Sequence, residues 1–66
     1  MEQLGRRARV RSDASSDLGK HYAGHHGRIE QFAKDPETMV LIRYTIRLDD
    51  GRTQLDLHPS EVEILD

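Results

Sequence analysis

The strongest constraint on the fold is an alternating pattern in the C-terminal half of the chain, on both sides of an Asp-Gly pair. Before the pair, every second residue from Val40 to Leu48 is apolar, and most of the residues between them are polar. After Asp50-Gly51, Leu55 and Leu57 alternate with polar neighbours. Period-two patterning around Asp-Gly is typical of a β-hairpin. The pattern therefore predicts an all-β protein.

The chain as a whole has room for five short strands. We expect strands over residues 5–12, 26–34, 39–48, 53–58 and 62–65, with a 3₁₀ turn over 59–61 before the last strand. Residues 13–24, rich in Ser, Asp and Gly, are predicted to form a long loop with one helical turn around residues 15–18. Ile29 and Phe32 have opposite parity, which a bulge between them would reconcile.

The third predicted strand is long for so small a domain. Ten residues would extend over roughly 33 Å if the strand were straight. We therefore expect it to bend and to serve two sheets. The predicted core consists of the inward positions of the five strands: Ala8, Val10, Ile29, Val40, Ile42, Tyr44, Ile46, Leu48, Leu55, Leu57, Val62 and Ile64.

Three motifs, taken in this order, resemble an SH3-like barrel of KOW type. The segment from Gly24 to Ile29 resembles the Gly-x-x-Gly-x-Ile/Val signature that leads into the second strand of such barrels. The segment from Tyr44 to Gly51 resembles their Tyr-x-Val-x-Leu-Asp-Asp-Gly strand and turn, and residues 58–63 are similar to their closing turn and strand. The resemblance covers residues 9–65 and implies a five-stranded SH3-like barrel. It also implies RNA or DNA binding, which many such barrels perform.

A second resemblance is to the barrel domain of nitrile hydratase β subunits. It is carried by Arg9-Val10-Arg11, by the glycines of the Gly24-x-x-Gly27 motif, and by residues 44–47. Those domains serve as subunit-packing modules, so this resemblance implies a packing role. Neither resemblance brings catalytic residues to this chain.

Length and composition limit the chain to one small domain over residues 1–66, with residues 1–4 expected to be a loose tail. A chain of this size buries only about 60% of its unfolded surface, so its stability is marginal. There is no Cys for a disulfide framework or a thiolate metal site. Residues 1–10 contain no apolar run, so we expect neither a signal peptide nor a membrane span. We therefore expect a cytoplasmic protein.

The charge is divided unevenly along the chain. Residues 1–34 carry a net charge of +3 and residues 35–66 a net charge of −5, for a total of −2. The basic half could bind nucleic acid, with phosphate contacts from Arg6, Arg7, Arg9, Arg11, Lys20 and Arg28. The alternative is that strands of opposite charge pair within the fold, Arg9 and Arg11 with Glu61 and Glu63, since closure would place the first and last strands side by side.

The histidines and serines do not predict a catalytic or metal site. His21, His25 and His26, with His58 further on, have none of the spacings typical of zinc sites. Ser15 and Ser16 lie between two Asp residues, as in a capped loop, and no nucleophile motif surrounds them. We therefore predict no enzyme activity, no metal and no cofactor.

Protein association is the function that the sequence favours. Met39 and Leu41 fall on the otherwise polar face of the third strand, which suggests a contact surface, unless Phe32 or the long loop covers them. The predicted role is a non-catalytic adaptor or accessory subunit that binds a protein partner or itself, with RNA or DNA binding as the alternative. The residues predicted to contact protein are Leu18, Tyr22, His25, His26, Met39 and Leu41.

Overall fold

The computed structural model describes residues 3–65. Five strands form one antiparallel sheet in the order β4-β3-β2-β1-β5. A short helix lies between β1 and β2, and a 3₁₀ turn, Pro59–Glu61, precedes β5. The elements are β1 (Arg7–Val10), α1 (Asp17–His21), β2 (His26–Lys34), β3 (Leu41–Leu48), β4 (Gln54–Leu57) and β5 (Val62–Ile64). The predicted all-β class, the five strands and the position of the 3₁₀ turn are confirmed.

The sheet differs from the prediction in its third strand. β3 begins at Leu41 and pairs with β2 on one side and β4 on the other, within one sheet. The prediction that this strand serves two sheets is therefore wrong. In the strand pairings of residues 3–65, β4 and β5 are the two ends of the order. Closure of the sheet into a barrel, and with it the SH3-like identity, stays a prediction.

The expected bulge in β2 is present. Ile29 pairs with Ile46, but the next pair is Gln31 with Thr45, so Glu30 is an extra residue on β2. The bulge reverses the parity of the strand and lets both Ile29 and Phe32 face the core, Ile29 fully and Phe32 in part. The sequence conflict between these two apolar residues is resolved as predicted.

The core is formed by the strands together with Ala14 in the loop before α1. Its buried apolar residues are Ala8, Val10, Ala14, Ile29, Tyr44, Ile46, Leu48, Leu55, Leu57 and Val62. Ile64 is only partly buried against it. Val40 and Ile42, two predicted core residues, are instead exposed, so the prediction is wrong for these two positions.

Two glycines shape the strands around this core. Gly27 is buried where β2 crosses close to β3, and a Cβ there would collide with the backbone oxygen of Arg47. Gly51 has a φ of 74°, the left-handed conformation that the β3–β4 turn requires. The Asp50 carboxylate completes this turn by accepting hydrogen bonds from the backbone N–H groups of Arg52 and Thr53. The Asp-Gly pair thus forms the predicted hairpin turn.

The long loop is held against the 3₁₀ turn by hydrogen bonds to the buried carboxylate of Glu61. Ser16 caps α1 by accepting a hydrogen bond from Gly19 N, and its own hydroxyl donates to Glu61 Oε2 at 2.7 Å. Ser16 N donates to the same oxygen at 3.0 Å. These bonds hold the pKa of Glu61 below its ordinary value. Helix and 3₁₀ turn are therefore joined through a single acidic side chain.

Within residues 3–65, no helix is long and apolar enough to cross a membrane. Residues 1 and 2 of the predicted tail lie outside the described residues. Residues 3–6 form a turn, closed by a hydrogen bond of 3.0 Å from Arg6 N to Gln3 O.

Candidate interaction surface

The β2–β3 hairpin extends beyond its neighbours in the sheet. β1 pairs with β2 over residues 26–28, and β4 pairs with β3 over residues 44–47. In the described residues 3–65, the rest of the hairpin consists of the pairs between Gln31–Lys34 on β2 and Leu41–Thr45 on β3. Most of this end is therefore a two-stranded ribbon, which has less cover than the centre of the sheet.

A second bulge reverses the parity of β3 within this ribbon. Ala33 pairs with Arg43, but Lys34 pairs with Leu41, so Ile42 is an extra residue on β3. Leu41 consequently turns towards the core and packs against it, partly buried. The expectation that Leu41 is exposed is wrong, because it assumed unbroken alternation along the strand, whereas its contact with a protein stays a prediction.

The same bulge leaves neighbouring apolar side chains in solvent. Ile42 is 49% exposed and Val40 is 59% exposed, so neither lies in the core. Met39, as predicted, is exposed, at 63%. The exposed apolar residues at the end of this hairpin are thus Met39, Val40 and Ile42, whereas Leu41 lies on the other side of the strand.

The turn between β2 and β3, next to these residues, is stabilised by hydrogen bonds. Asp35 Oδ1 accepts from Glu37 N at 2.8 Å and from Thr38 N at 3.1 Å, and these bonds lower the pKa of Asp35. Asp35 N donates to Val40 O, and Met39 N donates to Asp35 O. Met39 has a φ of 62°, a left-handed conformation that a non-glycine residue rarely adopts. The turn holds Met39 there at the tip of the hairpin.

Two charged residues border this apolar group. Arg43 follows Ile42 on β3, and Glu37 lies in the turn, and both are exposed. Within residues 3–65, neither the Glu37 nor the Arg43 side chain forms a hydrogen bond or an ion pair, and Glu37 bonds only through its backbone N–H. We call the set of Glu37, Met39, Val40, Ile42 and Arg43 the hairpin-end surface.

The loop residues predicted to contact protein lie elsewhere. Leu18 on α1 is 40% exposed, and Tyr22 is partly buried. The Tyr22 ring makes edge contacts with the rings of His21 and His25, at centroid distances of 4.6 Å and 5.5 Å. His25 and His26 are exposed, and His26 already belongs to β2. In the described part of the chain, no three His, Cys, Asp or Glu residues are placed to hold a metal ion.

The arginines of the first strand are engaged within the fold. Each of three forms an ion pair with a carboxylate: Arg7 with Asp49, Arg9 with Glu63 and Arg11 with Asp13. The predicted pair of Arg9 with Glu63 is confirmed. The Arg7 and Arg11 guanidinium groups hold the pKa values of their partner carboxyl groups below the ordinary range. This part of the surface is therefore close to locally neutral.

The prediction that Arg11 pairs with one of the carboxylates of Glu61 and Glu63 is wrong. Arg11 N does donate to Glu61 O at 2.8 Å, so the two residues are neighbours across the sheet. The Glu61 carboxylate, however, is buried against Ser16, and the Arg11 side chain turns to Asp13 instead. A shallow groove beside them is lined by both signs of charge, through Arg9, Arg11, Asp13 and Glu63, together with Ser12 and Gly24.

Of the other basic residues of the nucleic-acid alternative, Arg28 is the cross-strand neighbour of Arg7 in the β1–β2 pair, and Arg6 immediately precedes β1. Arg6 donates to the side-chain oxygen of Gln3, and Arg28 donates to the carbonyl oxygen of Gly5. Lys20 is exposed on α1. Sequence reasoning missed Glu37, Val40, Ile42 and Arg43 as surface residues. No local signal in the sequence distinguishes Val40 and Ile42 from the buried alternate residues that follow them.

Comparison of the chain with protein-family models, with curated proteins and with solved structures found no match.

Proposed function

We propose that this chain is a non-catalytic protein-interaction module, an adaptor or accessory subunit, that binds protein through its hairpin-end surface. The observation that carries the proposal is the exposure of three apolar side chains, Met39, Val40 and Ile42, at one end of the sheet. Exposed apolar groups that lie together mark contact sites, since their removal from water is favourable by about 25 cal/mol per Å².

The charges of the molecule support protein over nucleic acid as the partner. A phosphate that approached the first strand would compete with carboxylates already paired to Arg7, Arg9 and Arg11. The net charge of −2 adds long-range repulsion of a polyanion. Because the sequence resembles KOW-type barrels, RNA or DNA binding is the alternative function, and the crosslinking experiment can detect it. Contact through Leu18, Tyr22, His25 and His26 stays a prediction.

A photo-crosslinking amino acid at position 40 tests this function in the native host. Position 52 is the matched control, because Arg52 is exposed in the turn of the other hairpin of β3. We expect covalent protein adducts from position 40 and few from position 52. Equal labelling from both positions, or no protein adduct at position 40, would refute the proposal. Nucleic-acid adducts from a crosslinker at position 9, without protein adducts at 40, would support the alternative.

A further inference from the structure

The hairpin-end surface carries opposite charges on either side of its apolar centre. Glu37 lies in the turn at one side, and Arg43 lies on β3 at the other. Val40, just before β3, and Ile42, on β3, come between them along the chain. The surface is therefore polarised along the hairpin, acidic towards its tip and basic towards the sheet.

Such a surface is complementary to a copy of itself that runs in the opposite direction. In a two-fold interface, a residue at one end of the contact surface lies against the residue at the other end of the same surface on the second copy. If the axis passes near Ile42 and Val40, the apolar side chains meet each other, and each Arg43 meets a Glu37. A partner surface of a single charge sign would attract only one of the two charged ends and repel the other.

We propose that the occupant of this surface is a second copy of the chain, which forms a two-fold dimer with Arg43 of each copy against Glu37 of the other. This inference rests on the proposed function and names its partner. The charges of Arg43 and Glu37 have no side-chain partner within residues 3–65, so the dimer would use charges that the fold leaves available. A marginal domain would also gain stability from association.

The size of the surface limits the affinity. A stable interface usually buries about 800 Å² on each partner, more than three partly exposed side chains provide. We therefore expect a dissociation constant in the range of roughly 10–100 µM rather than nanomolar. Sedimentation equilibrium of the pure chain between about 10 µM and 1 mM should show the mass rising from 7.6 kDa towards twice that value.

Charge reversal tests the arrangement of the two copies. Arg43→Glu places like charges at both ends of the interface, and so does Glu37→Lys. Each variant alone should dimerise about tenfold more weakly than the natural chain. Mixed in equal amounts, the two variants should associate with each other. The new carboxylate at position 43 of one variant then meets the new ammonium group at position 37 of the other, and the remaining Glu37 meets the remaining Arg43. Arg52→Glu, with the same change in net charge as Arg43→Glu, should dimerise like the natural chain.

The outcomes separate this inference from the function it rests on. A monomer at every concentration overturns the dimer, as does a mixture of the two variants that fails to associate. If position 40 then crosslinks a different protein in the host, the interaction module stands without the dimer. If it crosslinks nothing, both proposals fail. Circular dichroism of each variant checks that loss of association is not loss of folding.

Discussion

The two halves of β3 have similar composition but different environments. From Tyr44 to Leu48 the strand lies between β2 and β4, and its alternate apolar residues are buried. From Leu41 to Arg43 it pairs with β2 beyond the end of β4, and Ile42 is exposed. Every second residue is apolar in both halves, and Leu41 is an additional apolar residue in the first. The comparison shows that cover by neighbouring elements, and not the pattern alone, decides which apolar residues form the core.

The charged side chains also differ between the body of the sheet and the hairpin end. Around the body of the sheet, arginines are matched to carboxylates on other elements, as Arg47 is to Glu30 and Arg9 to Glu63. At the hairpin end, Arg43 and Glu37 have no such partner within residues 3–65. The body uses its charges internally, whereas the hairpin end presents both its charges and its apolar side chains to solvent.

The largest expected difference in stability is between two Ile-to-Ala truncations, one in each half of β3. Ile46→Ala removes a fully buried side chain and should lower the free energy of unfolding by about 2–5 kcal/mol. Ile42→Ala should change it by less than about 0.5 kcal/mol, because Ile42 is half exposed. Urea unfolding at low protein concentration measures both. Equal losses for the two variants would show that the halves do not differ as described.

Removal of the buried carboxylate should have the next largest effect. Glu61→Ala leaves the N–H and hydroxyl of Ser16 without their acceptor and should cost about 1–3 kcal/mol. Glu61→Gln keeps an acceptor oxygen and should cost less. Chemical unfolding of both variants, followed by circular dichroism, measures the difference. If Glu61→Ala unfolds like the natural chain, the carboxylate does not hold the helix to the 3₁₀ turn.

The pH dependence of stability gives a second measurement on the same side chain. The folded pKa of Glu61 is lowered, so its contribution is complete above its ordinary value of 4.5 and is lost as the pH falls through the folded pKa. The free energy of unfolding of the natural chain should therefore decrease below about pH 4.5. Glu61→Gln should show a shallower decrease, since the other carboxyl groups with lowered pKa values remain, such as Asp50, at about 2. An unchanged slope in this variant would contradict the assignment.

Adjacent residues at the hairpin end provide a finer test. Leu41 packs partly against the core, so Leu41→Ala should cost about 1–2 kcal/mol. Val40→Ala, one residue earlier, should be nearly neutral because Val40 is exposed. Thermal and urea unfolding measure the two variants side by side. The reverse order of stability would mean that the bulge at Ile42 is not present in solution.

The smallest effect concerns the charges. A double-mutant cycle on Arg9 and Glu63 should give a coupling of about 0.2–1 kcal/mol that decreases in high salt. The same cycle on Arg43 and Glu37 should give no coupling at concentrations where the chain is monomeric. Coupling in the monomer between Arg43 and Glu37 would show that these charges are used within one chain, and not between copies.

Two bulges show where sequence reasoning succeeds and fails. The bulge at Glu30 was predictable because Ile29 and Phe32 conflict in parity, and a conflict is visible in the sequence. The bulge at Ile42 was not predictable, because alternation is unbroken from Val40 to Leu48 and nothing local reports the extra residue. That single insertion accounts for the errors at Val40, Leu41 and Ile42.

The ion pairs show the same limit. Arg9 and Glu63 were predictable as a pair because the first and last strands were expected to be neighbours. Glu61 was expected by the same reasoning to pair with Arg9 or Arg11, but its carboxylate bonds to Ser16, 45 residues away in the chain. Strand neighbours can be predicted from alternation and turns, whereas the direction of one buried side chain depends on what the loop brings to it.

The all-β class, the strands and the turn at Asp50-Gly51 could be predicted from the amino-acid sequence alone. These follow from interactions between residues close in the chain, which period-two patterning and turn chemistry report directly. Only the tertiary structure decided which apolar residues are covered. β4 is four residues long and β3 is eight, so one half of β3 is left without β4 as its neighbour. Burial depends on where elements distant in sequence end, and no local pattern contains that information.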